Sequence, residues 1–263
     1  MRLIAGPCQH ESYEQSLAIA KSMLFICNDL NIEYVFKASF DKANRTSLDG
    51  KRGLGMQETL DDFRNIKSMF PELKMLTDVH TEQQIWAIER EYTDVIDVIQ
   101  IPAFLCRQTD LITTACNSPF IVNIKKGQFL APWDVKGILS KTKGAKEVWI
   151  TERGTSFGYN TLVNDFTGVQ YMLDNYSNTT IVFDATHSVQ KPGGNGTSSG
   201  GNRTYVPTLA RAAAAIGIRS FFMETHPNPD DAPSDGPNMV KLSDMKKIIT
   251  DLKTLTEINY ESR

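Results

Sequence analysis

Long apolar runs are absent from this sequence of 263 residues. No window approaches the roughly 18 consecutive apolar residues that mark a membrane-spanning helix, so we expect no membrane segment. Only three small or apolar residues separate Arg2 from Gly6, which is shorter than the apolar stretch of a secretory signal peptide. These features predict a protein of the cytoplasm.

Cysteine is scarce and charge is nearly balanced. The four cysteines have no regular spacing, which argues against a disulfide framework and favours a reducing compartment. The formal net charge of -3 gives no reason to expect nucleic acid or an acidic membrane as a partner. The Gly-x-Gly-x-x-Gly turn of dinucleotide-binding sheets is also missing after the first apolar run.

Eight short apolar, β-rich runs recur along the chain and predict strands. They are Leu3–Ala5, Tyr34–Phe40, Lys74–His80, Val95–Ile101, Phe120–Ile124, Glu147–Thr151, Thr180–Phe183 and Ser220–Met223. Amphipathic helical segments such as Tyr13–Leu30 and Thr161–Asn175 lie between them, and this alternation implies parallel pairing with right-handed crossovers. We therefore expect a single-domain TIM (β/α)8 barrel over residues 1–263, with an open doubly wound sheet as the alternative.

Polar residues end or follow each of the eight runs. In a barrel, the carboxyl ends of the strands form one rim, where catalytic residues gather. All four histidines, His10, His80, His187 and His226, fall near these predicted ends. The sequence thus predicts that one rim of the barrel is a reaction site.

Cations are concentrated at the same places. Those at or just after strand ends are Lys37, Lys42, Arg45, Arg107, Lys125, Lys126 and Arg153. Such a set predicts a site for anions, in particular phosphates and a carboxylate. The alternative is that some are solvated loop charges, which suits Lys126 and Arg107 better than the others.

A metal site is a second hypothesis. Its candidate ligands are Cys8, His187, Glu224 and Asp235, because thiolate, imidazole and carboxylate suit Zn²⁺, Fe²⁺ or Mn²⁺. They follow the first, seventh and eighth strands, which are neighbours in a closed barrel, so they could converge. The alternative for Cys8 is a small buried hydrophobe, as Cys27 is predicted to be.

The loop at residues 41–47 is rich in hydrogen-bond donors and could clamp a sugar phosphate, or it could be a solvated loop. Asp78 and His80 are candidate acid–base groups, although Asp78 could instead orient a hydroxyl and His80 could cap a helix. Lys125 could also form an imine with a carbonyl substrate, as in a Schiff-base aldolase.

These motifs resemble the 3-deoxy-D-manno-octulosonate 8-phosphate synthase family from Gly6 to about Leu242. The segments that carry the resemblance are 36–45, 97–111, 123–129, 151–154 with 157–160, and 183–190. The resemblance implies condensation of phosphoenolpyruvate with D-arabinose 5-phosphate for lipopolysaccharide core biosynthesis, in a homotetramer of TIM barrels.

The resemblance also implies roles for particular residues. Phosphoenolpyruvate would be bound by Lys42, Lys125 and Arg153, with Lys37 and Gln100 in the same pocket. Arabinose 5-phosphate would be bound by Asn44, Arg45, Thr46 and Asp78. Catalytic roles fall to Lys125, His187 and Asp235, and the glycine-rich stretch at 192–203 would close over the site.

Cys8 decides between two branches of the resembled family. With His187, Glu224 and Asp235 it matches the ligands of the metal-requiring branch, whereas the other branch has asparagine at this position. The resemblance therefore implies a divalent ion, with Zn, Fe and Mn as candidates. Thr46 replaces the more usual serine, the loop at residues 48–51 departs from the family pattern, and His10 has no assigned role.

Three alternatives remain open from the sequence. The nearest is the sibling synthase that uses erythrose 4-phosphate, which usually has Lys-Pro-Arg where this chain has Lys42-Ala43-Asn44-Arg45. The others are a Schiff-base aldolase and a catalytically silent sugar-phosphate-binding barrel.

Overall fold

The computed structural model describes residues 1–45, 47–194, 196 and 199–258. Its main sheet contains eight parallel strands. They are β1 (Arg2–Gly6), β2 (Glu33–Lys37), β3 (Lys74–Asp78), β4 (Val98–Ile101), β5 (Ile121–Lys125), β6 (Val148–Glu152), β7 (Thr180–Asp184) and β8 (Ser220–His226). Each strand pairs with the next in chain order, and β1 pairs with β8. The sheet is therefore closed, which confirms the TIM barrel and rules out the open sheet.

The main helices alternate with the strands. They are α1 (Tyr13–Asp29), α2 (Met56–Met69), α3 (Glu82–Glu91), α4 (Thr109–Asn117), α5 (Val135–Leu139), α6 (Phe166–Asn175), α7 (Val206–Ala215) and α8 (Met245–Glu257). Side chains of Ser12 and Thr81 cap the first turns of α1 and α3, because a hydroxyl there accepts from an otherwise unpaired backbone N–H. No helix in the described ranges is both long and apolar enough to cross a bilayer.

Helix α6 is shorter than the predicted segment at 161–175. Thr155–Ser156 and Leu162–Val163 instead pair as a small antiparallel ribbon after β6. The side chain of Asp165 then accepts from the Thr167 N–H and starts the helix. The prediction was wrong at this end because a ribbon and a cap occupy the loop that the apolar periodicity had assigned to helix.

Apolar side chains cover both faces of the strands in two layers, one inside the barrel and one outside it. The inner cluster takes one side chain from each of the eight strands: Ile4, Val35, Leu76, Val98, Ile121, Trp149, Val182 and Phe222. A larger cluster lies between the strands and the helices. Because side chains alternate along a strand, neighbouring positions face inward and outward, and the inward polar residues near the carboxyl ends are left to form a site.

Candidate active site

A pocket of about 430 Å³ opens at the carboxyl ends of the strands. Ten of the predicted site residues line it: Lys37, Lys42, Asn44, Arg45, Asp78, Gln100, Lys125, Arg153, His187 and Asp235. Cys8 and Glu224 are buried beside it, where Glu224 Oε1 lies 3.7 Å from Lys37 Nζ. Thr46 lies outside the described residues. The carboxyl ends of the strands thus bring together residues that are far apart in the sequence.

Two lysines at and after the β2 end share the Ser39 hydroxyl, and one of them also contacts the loop after β1. Lys37 Nζ donates to the Cys8 carbonyl oxygen at 3.0 Å and to Ser39 Oγ at 3.1 Å, and Lys42 Nζ donates to the same hydroxyl at 2.9 Å. A Cβ on Gly6 would stand 2.0 Å from the Lys37 carbonyl oxygen, so only glycine permits this approach of the strands. Both ammonium groups are therefore fixed at the pocket.

Arg45 connects three loops at the pocket edge. Its guanidinium donates to Gln9 Oε1 at 2.5 Å and to Ser234 Oγ at 2.9 Å, and its Nε donates to the Lys51 carbonyl oxygen at 2.7 Å. Asn44 lines the same edge and is exposed. Arg45 thus holds the predicted sugar-phosphate loop against the loops that follow β1 and β8.

Arg153 and Asp235 are joined through a third side chain. Arg153 Nη2 donates to Gln190 Oε1, and Gln190 Nε2 donates to Asp235 Oδ1, each at 2.7 Å. Arg153 Nη1 is buried and has no hydrogen-bond partner within the described ranges. Since an unpaired buried donor is costly, this nitrogen is available for an anionic ligand in the pocket.

Asp78 is a buried carboxylate among cations. Burial alone would raise its pKa, but Lys37, His80 and Lys42 hold the pKa of Asp78 well below its usual range. His80 Nε2 lies 3.4 Å from Asp78 Oδ2, and Asp78 Oδ1 has no hydrogen-bond partner among the residues that the structure covers. Asp78 is thus an ionised acceptor at the pocket, suited to hydroxyl groups. His80 does not cap α3, because Thr81 does so.

Three of the four predicted metal ligands form one cluster, and the fourth lies beside it. Ligand atoms of Cys8, Glu224 and Asp235 all lie within 4.8 Å of one another. His187 Nε2 is outside that cluster, 3.6 Å from Glu224 Oε1 and 3.7 Å from Asp235 Oδ2. Both carboxylate oxygens of Glu224 are buried without a hydrogen bond in the described part of the chain. A sulfur and two carboxylates around one point, with an imidazole next to two of them, are donors that suit a divalent transition metal.

The backbone is unusual at two of these residues. Cys8 and Asp235 have φ angles of 41° and 53°, in the left-handed region that non-glycine residues seldom occupy. Strained backbone persists only where surrounding contacts hold it, and it is concentrated at functional sites. At Cys8 the backbone is held by the β2 end, because the Cys8 carbonyl oxygen accepts from both Ser39 N and Lys37 Nζ.

Burial and neighbouring charges set the protonation states at the site. Burial and Glu224 raise the pKa of the Cys8 thiol well above its ordinary value, and the thiol donates to Asp235 Oδ2 at 3.3 Å. Burial would lower the pKa of His187, but Asp184 and Glu224 raise it to about 9. For Lys125 burial outweighs Asp184 and lowers the pKa to about 8. A metal ion at this point would displace the thiol proton.

Three residues singled out in the sequence do not face the pocket. His10 is buried between α1 and α2, with its ring nitrogens 2.8 Å from Ser16 Oγ and 2.9 Å from Asp62 Oδ2. His226 Nδ1 accepts from the Asn228 backbone N–H, in keeping with a structural turn. The prediction that Lys126 is solvated was wrong, because its side chain is 0% exposed and its Nζ lies 3.2 Å from Glu152 Oε2.

Two residues of the site had no predicted role. Asp184 ends β7, is fully buried and contacts both Lys125 and His187. The strand-end rule had pointed to it without a function. Gln190 links Arg153 to Asp235, and nothing in its sequence position indicated this.

The chain has a closed eight-stranded barrel, and cations and metal-type ligands lie together on one rim. It is therefore a TIM-barrel enzyme with an anion-binding active site. A model of the DAHP synthetase I family matches residues 1–261. The chain belongs to this family.

Similar curated proteins include 2-dehydro-3-deoxyphosphooctonate aldolases from three bacteria. The protein of Rickettsia bellii is 49% identical over 261 residues, covering 98% of this chain and 93% of the relative. That of Rhizobium meliloti is 51% identical over 254 residues, covering 96% and 88%. That of Nitrobacter hamburgensis is 53% identical over 251 residues, covering 95% and 85%. This aldolase name is a second name for 3-deoxy-D-manno-octulosonate 8-phosphate synthase, so the resemblance inferred from the sequence motifs is confirmed.

Proposed function

We propose that this protein condenses phosphoenolpyruvate with D-arabinose 5-phosphate and water, giving 3-deoxy-D-manno-octulosonate 8-phosphate and inorganic phosphate. It is then a phosphoenolpyruvate-dependent aldol-type transferase for lipopolysaccharide core biosynthesis. The observation that carries the proposal is one pocket that combines buried cations, an ionised Asp78 and a donor-rich loop. The printed names of the relatives support it.

The cations suit phosphoenolpyruvate. Lys42, Lys125 and Arg153 would neutralise its phosphate and carboxylate, with Lys37 behind them and Gln100 beside them. Asn123 Nδ2 donates to Gln100 Oε1 at 3.0 Å, which leaves the Gln100 amide nitrogen to donate into the pocket. Cationic donors that are already fixed in a buried site hold the anionic substrate in the geometry that the reaction needs.

The opposite edge suits the aldose. Asn44 and Arg45 would hold the phosphate of arabinose 5-phosphate, with Thr46 as a further hydroxyl donor by its place in the sequence. Asp78 Oδ1 would accept hydrogen bonds from sugar hydroxyls. The loop at residues 192–203, of which 195, 197 and 198 lie outside the described residues, would cover both substrates, since Pro192, Gly193 and Ser199 line the pocket. It would thereby limit the access of bulk water to phosphoenolpyruvate.

The reaction forms one carbon–carbon bond. C3 of phosphoenolpyruvate attacks the aldehyde carbon, the aldehyde oxygen takes a proton, and water adds at C2 with loss of a proton. The C2 hydroxyl then loses its proton to the leaving phosphate as the C2–O bond breaks, which gives the ketone and inorganic phosphate. Lys125 Nζ is the proton-bearing atom proposed to serve these steps, and His187 is the second candidate when its Nε2 is not bound to a metal ion. Asp235, in contact with His187, would keep the imidazole oriented.

Cys8, His187, Glu224 and Asp235 would hold a divalent ion, with Zn, Fe and Mn as candidates. When bound, such an ion acidifies water or polarises a carbonyl. The proposal also includes catalysis by a single domain at residues 1–263 and a cytoplasmic location, as the sequence predicts, and a homotetramer, as the resemblance implies.

The test is release of inorganic phosphate by the purified chain from phosphoenolpyruvate with each of two aldoses. We expect rapid release with arabinose 5-phosphate and at most slow release with erythrose 4-phosphate, because the shorter aldose lacks one hydroxyl-bearing carbon. Phosphoenolpyruvate alone is the control. Faster release with erythrose 4-phosphate would replace the proposal by the sibling synthase.

A further inference from the structure

Both carboxylate oxygens of Asp184 have partners inside the protein. It ends β7 and is 0% exposed. Oδ1 accepts from the His187 backbone N–H at 2.9 Å and from Thr186 Oγ1 at 3.1 Å. Oδ2 accepts from Lys125 Nζ and lies 2.7 Å from His187 Nδ1, a close ionic contact that lacks hydrogen-bond alignment. A buried carboxylate with this number of donors is fixed in both position and rotation.

The contact between Asp184 and His187 Nδ1 determines which ring nitrogen carries the lone pair. A carboxylate oxygen and an unprotonated ring nitrogen would repel each other at 2.7 Å, so this contact requires the proton on Nδ1 and leaves the lone pair of a neutral imidazole on Nε2. That nitrogen points at Glu224 Oε1 and Asp235 Oδ2, at 3.6 and 3.7 Å. Carboxylates that accept from the non-ligating nitrogen of a histidine orient the ring and increase its basicity toward a metal ion.

The contact with Lys125 accounts for the charge on Asp184. The Lys125 ammonium donates to Oδ2, the same oxygen that lies beside His187 Nδ1. The ammonium is itself placed over the ring of Phe222, 3.3 Å from the ring centroid. The aromatic face stabilises the ammonium, and the ammonium in turn stabilises the ionised carboxylate.

We propose that Asp184 is a positioning residue that fixes the tautomer and orientation of His187, so that Nε2 faces Glu224 and Asp235 as a metal ligand. This inference rests on the proposed function for the role of the metal, and it concerns a residue outside the ligand set. Lys125 supports Asp184 in this task, so the anion-binding lysine and the metal-ligating histidine share one carboxylate.

The test is zinc affinity without turnover. Chelator-treated wild-type protein and the Asp184→Asn variant are titrated with Zn²⁺ in competition with a chromophoric chelator. We expect the variant to bind roughly 10–100-fold more weakly. Asp97→Asn is the matched control, because Asp97 also accepts from a lysine and a backbone N–H, Lys67 Nζ at 2.6 Å and Met75 N at 2.8 Å, away from the pocket. The control should bind Zn²⁺ like wild type.

A measurement on the wild-type protein makes the test independent of how the variant folds. Long-range ¹H–¹⁵N spectra of zinc-loaded, ¹⁵N-histidine-labelled protein should show His187 with its proton on Nδ1 and the metal on Nε2. A proton on Nε2, or equal zinc affinity of the folded Asp184→Asn variant and wild type, would overturn the inference. Failure of the proposed function would instead appear as wild-type protein that makes no product.

Discussion

Lys125 should give the reaction an alkaline limit. Its ammonium is 5% exposed at the end of β5, and burial lowers its pKa to about 8. Below that pH the side chain is a cation that attracts the phosphate and carboxylate of phosphoenolpyruvate. Above it the amine is neutral, so binding of the anionic substrate weakens.

The size of the effect follows from this pKa. A group of pKa 8 is about nine-tenths protonated at pH 7 and about one-tenth protonated at pH 9, so kcat/KM for phosphoenolpyruvate should fall roughly tenfold over that range. This parameter reports the free enzyme. In the substrate complex the bound anion raises the pKa of Lys125, so the decline in kcat should begin at higher pH.

The assay is phosphate release at subsaturating phosphoenolpyruvate between pH 6.5 and 9.5, roughly the range in which a group of this pKa titrates. Lys125→Arg is the matched variant, because guanidinium stays charged throughout. Its absolute rate should be lower, but its kcat/KM should not decline between pH 7 and 9. The same decline in wild type and variant, or a flat wild-type profile, would refute the reasoning.

Three further predictions follow from the site and its surroundings. Cys8→Ser should weaken zinc binding by at least about 100-fold in a chelator-competition titration, and unchanged affinity would remove Cys8 from the ligand set. Arg153→Lys keeps the charge but loses the planar fork, so the KM for phosphoenolpyruvate should rise about tenfold in steady-state kinetics, and an unchanged KM would contradict its role. Lys126→Met leaves the Glu152 carboxylate buried and unpaired, which should cost about 3–5 kcal/mol of unfolding free energy by urea denaturation. The double variant Lys126→Met/Glu152→Gln should recover most of it, and a loss below about 1 kcal/mol for the single change would contradict the pairing.

The barrel could be predicted because parallel strands covered on both faces leave a strong signal. Apolar residues at consecutive positions, separated by amphipathic helices, predicted all eight strands. The ends were less accurate: β2 stops at Lys37 and β8 continues to His226. These limits depend on hydrogen bonds to neighbouring strands, which a single run of sequence does not reveal.

The location of the pocket could be predicted from the sequence, but the direction of each side chain near it could not always be predicted. Lys37, Lys125 and Asp235 were assigned to the rim because barrel geometry brings strand ends together. By the same rule all four histidines pointed to the rim, yet His10 packs between helices. Beyond a strand end, the direction of a side chain depends on loop backbone geometry, which periodicity does not describe.

Contacts between charged groups are a further limit of sequence reasoning. Lys126 follows Lys125 directly and has the same charge, but it is buried against Glu152 rather than solvated. Its Nζ also donates to Thr155 Oγ1 at 3.5 Å, in the ribbon after β6. These partners are about 25 to 30 residues away in the chain, so the residues near Lys126 do not reveal its burial.

The most direct test of the central claim is to follow the carbon–carbon bond. The purified chain is incubated with phosphoenolpyruvate labelled with ¹³C at C3 and with arabinose 5-phosphate, and ¹³C spectra and inorganic phosphate are recorded together. The account predicts that the labelled vinyl carbon becomes a methylene bonded to the former aldehyde carbon, with one phosphate released per product molecule. Labelled pyruvate with phosphate, or unchanged phosphoenolpyruvate, would contradict it.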